Sequence, residues 1–376
     1  YQTLNTIRIW EDWMPATTFS STRKEAPLRH KECLRLSDPI HCRRNTYRVI
    51  DLSIIRANYL TLSKTKGVIC VVKNDAYNMG LIEVIDTLVS AGASMFAVYT
   101  VDDAVRIRVR YPTLKVLILG FVSPRDIDTV TRLNISVIAY DTDLLEEYAH
   151  YTERVIHVHV NMNTGMSRLS TKKQLCEFKL PHVYIEGLMT HFSDTGDIEH
   201  SDRQAASFES ILGSRIPYRH AQATGAVSMY DMNVTHIRPG IGLFRGYMEV
   251  YSTVENVTTY PAGTAIGYSG GYTTSETERI AVVGIGYGSG YGRSYKGDPF
   301  VVIGGTICYV VGNICMNQLY VSVPSAATIA IGDEVTILDN NQITTAMIAS
   351  WFTTIEAEVL IRFGNRNIHT VYVNKE

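Results

Sequence analysis

The sequence predicts an α/β chain built from a (β/α)8 barrel followed by a mainly antiparallel β domain. Three observations carry this expectation. Eight short apolar or β-branched runs alternate with amphipathic stretches up to about Tyr247. The runs are continuous instead of alternating in polarity. Beyond Tyr247 the helical periods give way to strands between glycine-rich turns.

The eight runs fall in order: VICVV ending at Val72, FAVYT at Thr100, VLILG at Gly120, SVIAY at Tyr140, IHVHV at Val160, IEGLMTH at His191, YRHAQ at Gln222 and THIRPG at Gly240. A strand covered on both faces has no polar side to show, so continuous runs fit a parallel sheet wrapped by helices. Between the first two runs, Leu81, Val84, Ile85, Leu88 and Val89 recur at helical spacing, and Ala91 to Ala93 (AGA) stops the helix. Each unit therefore reads strand, helix, strand, and eight such units close into a barrel. The last two runs are the most polar.

The later part, with GYSGGYTTS, ERIAVVGIGYGSGYG, PFVVIGGTICYVVG and DEVTILDNN, reads as hairpins. The expected division is an N-terminal extension over residues 1–44, the barrel over 45–247 and the β domain over 248–376. The extension is polar, irregular and without chemistry that its residues name.

Composition excludes several classes of function. The chain has 376 residues, 45% hydrophobic and 19% charged, with 35 basic side chains against 37 acidic ones and a net charge of -2. Such a balance is globular and courts neither nucleic acid nor an anionic membrane. No apolar run approaches the roughly 18 residues of a membrane helix, and YQTLNTIRIW lacks the order of a secretion signal. Cys33, Cys42, Cys70, Cys176, Cys308 and Cys315 are scattered without a CxxC pair, which reads as reduced thiols in a cytoplasm.

Lys73 directly follows the first apolar run, at the strand end where barrel enzymes place their chemistry. A lysine there ordinarily extends to solvent. An amine partly desolvated at that position loses charge and favours Schiff-base chemistry. His157 and His159 share a strand face but have no third ligand nearby, so no metal is expected. The glycines from Gly284 to Gly292 miss GxGxxG spacing and read as a turn beside Tyr287.

The segment VVKNDAYNMG resembles the cofactor-lysine motif of the alanine racemase family, the fold-type III pyridoxal-phosphate enzymes, although NMG stands where GHG is commoner. The resemblance continues in order from about Asn45 onward. It implies that Lys73 carries pyridoxal 5'-phosphate and that Tyr77 binds its phosphate. HVHVNMNTGMSRLS implies a cofactor-contacting Arg168, and GLMTHFSD implies His191. HIRPGIG implies Arg238 facing the pyridine nitrogen, with backbone amides of Gly240 and Ile241 on the phosphate, and HAQATGA offers Thr224 where Ser is usual. In the β domain the resemblance implies Tyr268 as a second catalytic base, an active-site Tyr287, and substrate contacts at Met316 and Asn317.

As a set these assignments are chemically coherent. A phosphate dianion is suited by amides and hydroxyls. A permanently charged Arg238 would keep the ring nitrogen unprotonated. Inversion of an α-carbon needs a base on each face, and Lys73 and Tyr268 meet that need; the resemblance implies a hydrogen-bond chain from Tyr268 through His191 to Arg238. In the family that Tyr comes from the second subunit, so a head-to-tail homodimer is implied.

The expected activity is interconversion of L- and D-alanine, supplying a D-amino acid for cell-wall synthesis. Departures remain: Asn161 replaces a carbamylated lysine that pairs with Arg168 in many relatives. Asn163, Asn313, Asn317 and Ser289 stand where charged residues are common. Asn365, in RFGNRN, stands where relatives acting on serine carry Asn, which makes a serine or alanine/serine racemase the alternative. Two further readings are a pyridoxal-phosphate-binding barrel without racemase activity and the soluble part of a membrane-tethered racemase extending upstream of Tyr1.

Overall fold

The first strand, β1 (Tyr47–Asp51), does not enter the barrel. In the computed structural model, which describes residues 46–211 and 216–374, β1 pairs antiparallel with the long strand β10 (Met248–Tyr260) and parallel with the last strand, His369–Val373. The stretch from residue 45, expected to open the barrel, is thus part of the second sheet. Its run YRVID is too short for periodicity to say which sheet will take it. The extension over 1–44 lies outside the described residues.

The barrel itself is closed by eight parallel strands. These are β2 (Gly67–Val71), β3 (Met95–Val98), β4 (Lys115–Ile118), β5 (Ser136–Ala139), β6 (Ile156–Asn161), β7 (Val183–Met189), β8 (Tyr218–His220) and β9 (His236–Ile237). Each coincides with a predicted run. The two most polar runs make the two shortest strands. The helix Leu81–Ser90 follows as expected, with Leu81, Val84, Ile85 and Leu88 buried and Val89 half-buried; Ala91 caps it and Gly92 turns the chain at φ +98°.

The barrel interior is divided. Ile69, Val71, Met95, Ala97, Leu117, Ile138 and Met189 form one apolar inner cluster. On the β6 to β8 side three buried residues are polar instead, His159, Glu186 and His220, with Met189 at the end of β7 still in the apolar cluster. A bulge contributes to this, because the β6–β7 register shifts between Val158 and His159, passing from Ile185 to Gly187 and leaving Glu186 unpaired in the ladder.

In the second domain β10 also pairs with Glu278–Val283 and Glu334–Leu338. Around these, Leu319–Val323, Thr306–Val311 and Phe300–Ile303 complete a ring of six antiparallel strands, to which β1 and His369–Val373 are appended. Helical structure does not cease there, contrary to the expectation. Thr345–Trp351, capped by Thr344, and Glu356–Phe363 are helices. At seven and eight residues they are too short to establish a helical period. Among the described residues no helix is long and apolar enough to cross a membrane.

Candidate active site

Lys73 opens a tight turn at the end of β2. Asn74, Asp75, Ala76, Tyr77 and Asn78 all have positive φ, between 52° and 64°, so the chain makes a left-handed helical turn. For L-residues this costs roughly 1–2 kcal/mol per residue, and it persists only where the surroundings over-determine it. Here they do. The Asp75 carboxylate accepts from the Leu81 amide (3.2 Å) and pairs with Arg106 (3.0 Å). Asn78 Nδ2 donates to the Ile361 carbonyl (2.9 Å), the buried Arg48 donates to the Asn78 carbonyl (2.8 Å), and Tyr372 Oη donates to the Met79 carbonyl (2.7 Å). The β domain therefore holds the turn from behind. The NMG departure has a physical counterpart, since Arg48 meets both Asn78 and the Met79 sulfur.

At the C-terminal mouth of the barrel a cavity of about 760 Å³ is lined by Lys73, Tyr77, Arg168, His191, Thr224, Arg238, Gly240 and Ile241, with Asn161 also on its wall. The eight residues expected to hold the cofactor are therefore brought together. Burial, then the Arg168 and Arg238 guanidiniums, lower the Lys73 pKa below its ordinary value. Burial raises the Tyr77 hydroxyl to about 12.

One end of the cavity is built for an oxyanion. The Thr224 hydroxyl accepts from the amides of Gly240 (3.2 Å) and Gly242 (2.9 Å), where two short helical turns, Thr224–Val227 and Ile241–Phe244, begin. Tyr77 leans on Phe244 with ring centroids 5.0 Å apart, and its hydroxyl closes the pocket. A Cβ on Gly240 would lie 2.2 Å from Tyr77 Oη, so only glycine admits this approach. The hydroxyls of Tyr77 and Thr224 and the amides at the starts of the two helical turns suit a phosphate, and the amine of Lys73 shares the same cavity. The residues fit a phosphorylated aldehyde cofactor.

Arg238 is buried and meets no carboxylate among the described residues. It donates to the carbonyl of Thr190 (2.8 Å), to the carbonyl and Nδ1 of His220 (3.2 and 2.5 Å) and to Nδ1 of His191 (3.1 Å). Burial, then Arg168, lower it to about 10, so it stays charged at neutral pH. An arginine only donates, which leaves His191 with its proton on Nε2. Burial, then Arg238, Arg168 and Lys73, hold His191 down to about 3, and the ring is neutral. Of the expected chain from Tyr268 through His191 to Arg238, the His191–Arg238 link is present within one chain.

Arg168 is exposed at the cavity, between Ser167 and Leu169, both at positive φ. Asn161 does not compensate it. Its Nδ2 donates to the Leu169 carbonyl (2.7 Å), and its buried Oδ1 has no hydrogen-bond partner among the described residues.

Tyr268, Tyr287, Met316, Asn317 and Asn365 do not line this cavity. They belong to the second domain of the same chain, where Tyr268 is 72%, Tyr287 41% and Met316 56% exposed. The Asn313 amide holds the Tyr268 carbonyl (2.8 Å), and the Gly288 amide bonds the Met316 carbonyl (2.8 Å), joining the Tyr287 turn to the Met316 loop. As expected, the glycines around Tyr287 make a short turn, Tyr287–Ser289. Asn365 donates to the Gly288 carbonyl (3.1 Å) and accepts from the Asn367 amide (2.9 Å), so its side chain braces this turn. Sequence reading missed Arg48, His159, Glu186 and His220 as parts of the site's support. The one signal available was a glutamate inside an otherwise apolar strand run.

Comparison with known proteins finds one family along the described chain. The family model described as "Alanine racemase, N-terminal domain" matches residues 50–248, and "Alanine racemase, C-terminal domain" matches residues 247–372. The alanine racemase of Staphylococcus carnosus is 31% identical over 361 residues, covering 86% of this chain and 94% of that protein. That of Carboxydothermus hydrogenoformans is 28% identical over 372 residues, covering 88% of this chain and all of the relative (100%). Among solved structures, Clostridium difficile alanine racemase superposes with a TM-score of 0.79 at 27% identity, covering 88% of this chain and 96% of that one. The alanine racemase from E. faecalis gives 0.80 at 26% identity, covering 88% of this chain and 98% of that one.

Proposed function

The chain belongs to the alanine racemase family, and from that premise we propose that it is a pyridoxal-phosphate-dependent racemase interconverting L- and D-alanine. The observation that carries the reading is a desolvated Lys73 in one cavity with an oxyanion cradle and a charged Arg238.

Lys73, Tyr77, Thr224, Gly240 and Ile241 would hold the cofactor, its phosphate at the hydroxyls and amides, with Arg238 facing the ring nitrogen and Arg168 at the ring's other side. When bound, pyridoxal phosphate withdraws electrons and acidifies the α-hydrogen of the amino acid attached to it. Burial and the two guanidiniums lower the Lys73 pKa, which favours the neutral amine that would take that proton from one face. Charged Arg238 disfavours a proton on the ring nitrogen, which limits electron withdrawal and favours return of the proton to the same carbon.

The opposite face needs a second group, and Tyr268 of the partner subunit in a head-to-tail homodimer would supply it. The exposure of Tyr268, Tyr287 and Met316 away from their own cavity supports that assembly. His191, neutral and with Nε2 unoccupied by Arg238, is the group such a tyrosine would meet. Tyr287, Met316, Asn317 and Asn365 would then frame the substrate from the partner side. Alanine fits better than serine because the Asn365 amide is engaged with the Tyr287 turn. The thiols Cys70, Cys176, Cys308 and Cys315 are free, which accords with work in a reducing cytoplasm, where D-alanine would feed cell-wall synthesis.

The test is reconstitution with pyridoxal phosphate followed by assay of D-alanine formed from L-alanine, with L-serine in parallel. Turnover of alanine that disappears in Lys73→Ala supports the reading. Cofactor binding without racemisation of either amino acid overturns it in favour of a binding protein.

A further inference from the structure

Beneath the cavity, a file of polar side chains runs from Arg238 down the inside of the barrel. Arg238 Nη1 donates to His220 Nδ1 at 2.5 Å. Because that nitrogen accepts, the proton of the neutral His220 ring is on Nε2, which faces His159 Nδ1 at 2.7 Å. By the same logic His159 carries its proton on Nε2, which makes no hydrogen bond among the described residues but lies 3.5 Å from Glu186 Oε1, the loosest step of the file. The Glu186 carboxylate also accepts from Ser136 Oγ, Lys115 Nζ (2.9 Å) and His157 Nδ1 (3.3 Å). Every donor points the same way, from Arg238 toward the carboxylate.

The file is built, because each component needs a special local arrangement. Arg238, His220, His159 and Glu186 are 3%, 0%, 0% and 3% exposed. The β6–β7 bulge leaves Glu186 outside the ladder beside His159, and Gly187 makes room for the imidazole, since a Cβ there would lie 2.1 Å from His159 Nδ1. A buried guanidinium that meets only carbonyls and imidazoles lacks a counter-charge, and a buried charge of this kind is costly to leave unpaired.

We propose that Glu186 is a positioning residue for Arg238: through His159 and His220 its carboxylate fixes both imidazoles as Nε2–H tautomers, so that His220 presents a lone pair and holds the guanidinium in place at the cavity floor. If His220 carried its proton on Nδ1, it would meet Arg238 donor to donor and displace it. Burial lowers the pKa of both imidazoles, most strongly for His220, consistent with neutral rings. This inference rests on the proposed function, in which Arg238 faces the cofactor ring.

The experiment uses Glu186→Gln, which keeps size and removes charge. In cofactor-free wild-type protein labelled with ¹⁵N-histidine, His159 and His220 are expected as neutral Nε2–H rings between about pH 5.5 and 8.5. In Glu186→Gln at least one of them shifts to Nδ1–H or a mixture. In the loaded dimer its kcat for alanine falls roughly 10–100-fold, as for other carboxylates that orient a functional histidine, with KM within about twofold. A wild-type His220 with its proton on Nδ1 overturns the proposal, as does a Glu186→Gln enzyme with unchanged tautomers or unchanged kcat. Should the variant fail to fold, the wild-type spectra alone decide. Because the spectra come from cofactor-free protein, absence of racemisation counts against the assigned function and not against the relay.

Discussion

Arg238 Nη2 lies 3.1 Å from Nδ1 of His191, and this contact sets the proton position of an imidazole that burial, reinforced by Arg238, keeps neutral at the cavity. With its folded pKa at about 3 against about 6.5 for a free histidine, His191 takes up a proton more readily in the unfolded chain at every pH between those values. Stability from this group is complete above about pH 6.5 and is lost as pH falls. The slope approaches 1.4 kcal/mol per pH unit once the unfolded ring is charged. His159 and His220 are lowered too and add in the same direction. Cofactor-free protein should therefore lose stability to urea between about pH 6.5 and 5, and His191→Gln should reduce the slope.

Removing the guanidinium behind the cofactor turn should loosen Lys73 without dismantling the barrel. Arg48→Met leaves the carbonyls of Asn78 and Phe363 without their buried donor. An unsatisfied buried group costs about 1–3 kcal/mol, and the left-handed turn loses a restraint. The expected outcome is a lower unfolding midpoint and weaker pyridoxal-phosphate binding by absorbance titration, partly restored by Arg48→Lys. A variant with wild-type cofactor affinity would show that Arg48 only joins the domains.

The approach of Gly240 to Tyr77 is testable by a double-mutant cycle. Gly240→Ala should weaken cofactor binding at least about tenfold, because its Cβ would meet the Tyr77 hydroxyl. Tyr77→Phe removes that hydroxyl and with it a phosphate contact, so it should also weaken binding. The pair should lose less than the sum of the two. Strict additivity would place the alanine's effect elsewhere.

Subunit complementation checks the shared site. Lys73→Ala and Tyr268→Phe should each be nearly inactive alone. Unfolded and refolded together in equal amounts, they should recover about a quarter of wild-type activity, since half of the dimers are mixed and each has one intact site. No recovery would mean that Lys73 and Tyr268 act within one chain.

The barrel was legible because a strand covered on both faces must be apolar throughout, and eight such runs alternating with amphipathic stretches admit few other closures. The antiparallel second sheet was legible from its glycine-rich turns. Strand β1 was not, because five residues carry no sign of which sheet's edge is open to them. Within the cavity, strand-end position singled out Lys73, and motif order gathered its neighbours. Asn365 was read as a substrate contact from its place in RFGNRN; that its amide braces the Tyr287 turn, a contact between residues 77 positions apart, was not legible.

By itself, then, the sequence determined the layered architecture and the amine at its mouth, because burial on one or two faces writes a period into the chain. Only the tertiary structure decided how that amine is held. The left-handed turn is stabilised by Arg48, Ile361 and Tyr372 from distant segments. The orientation of Arg238 depends on His220, His159 and a bulged Glu186 on neighbouring strands. Such contacts are set by which side chains the closed barrel and the second sheet bring within about 3 Å, and no local period encodes that distance.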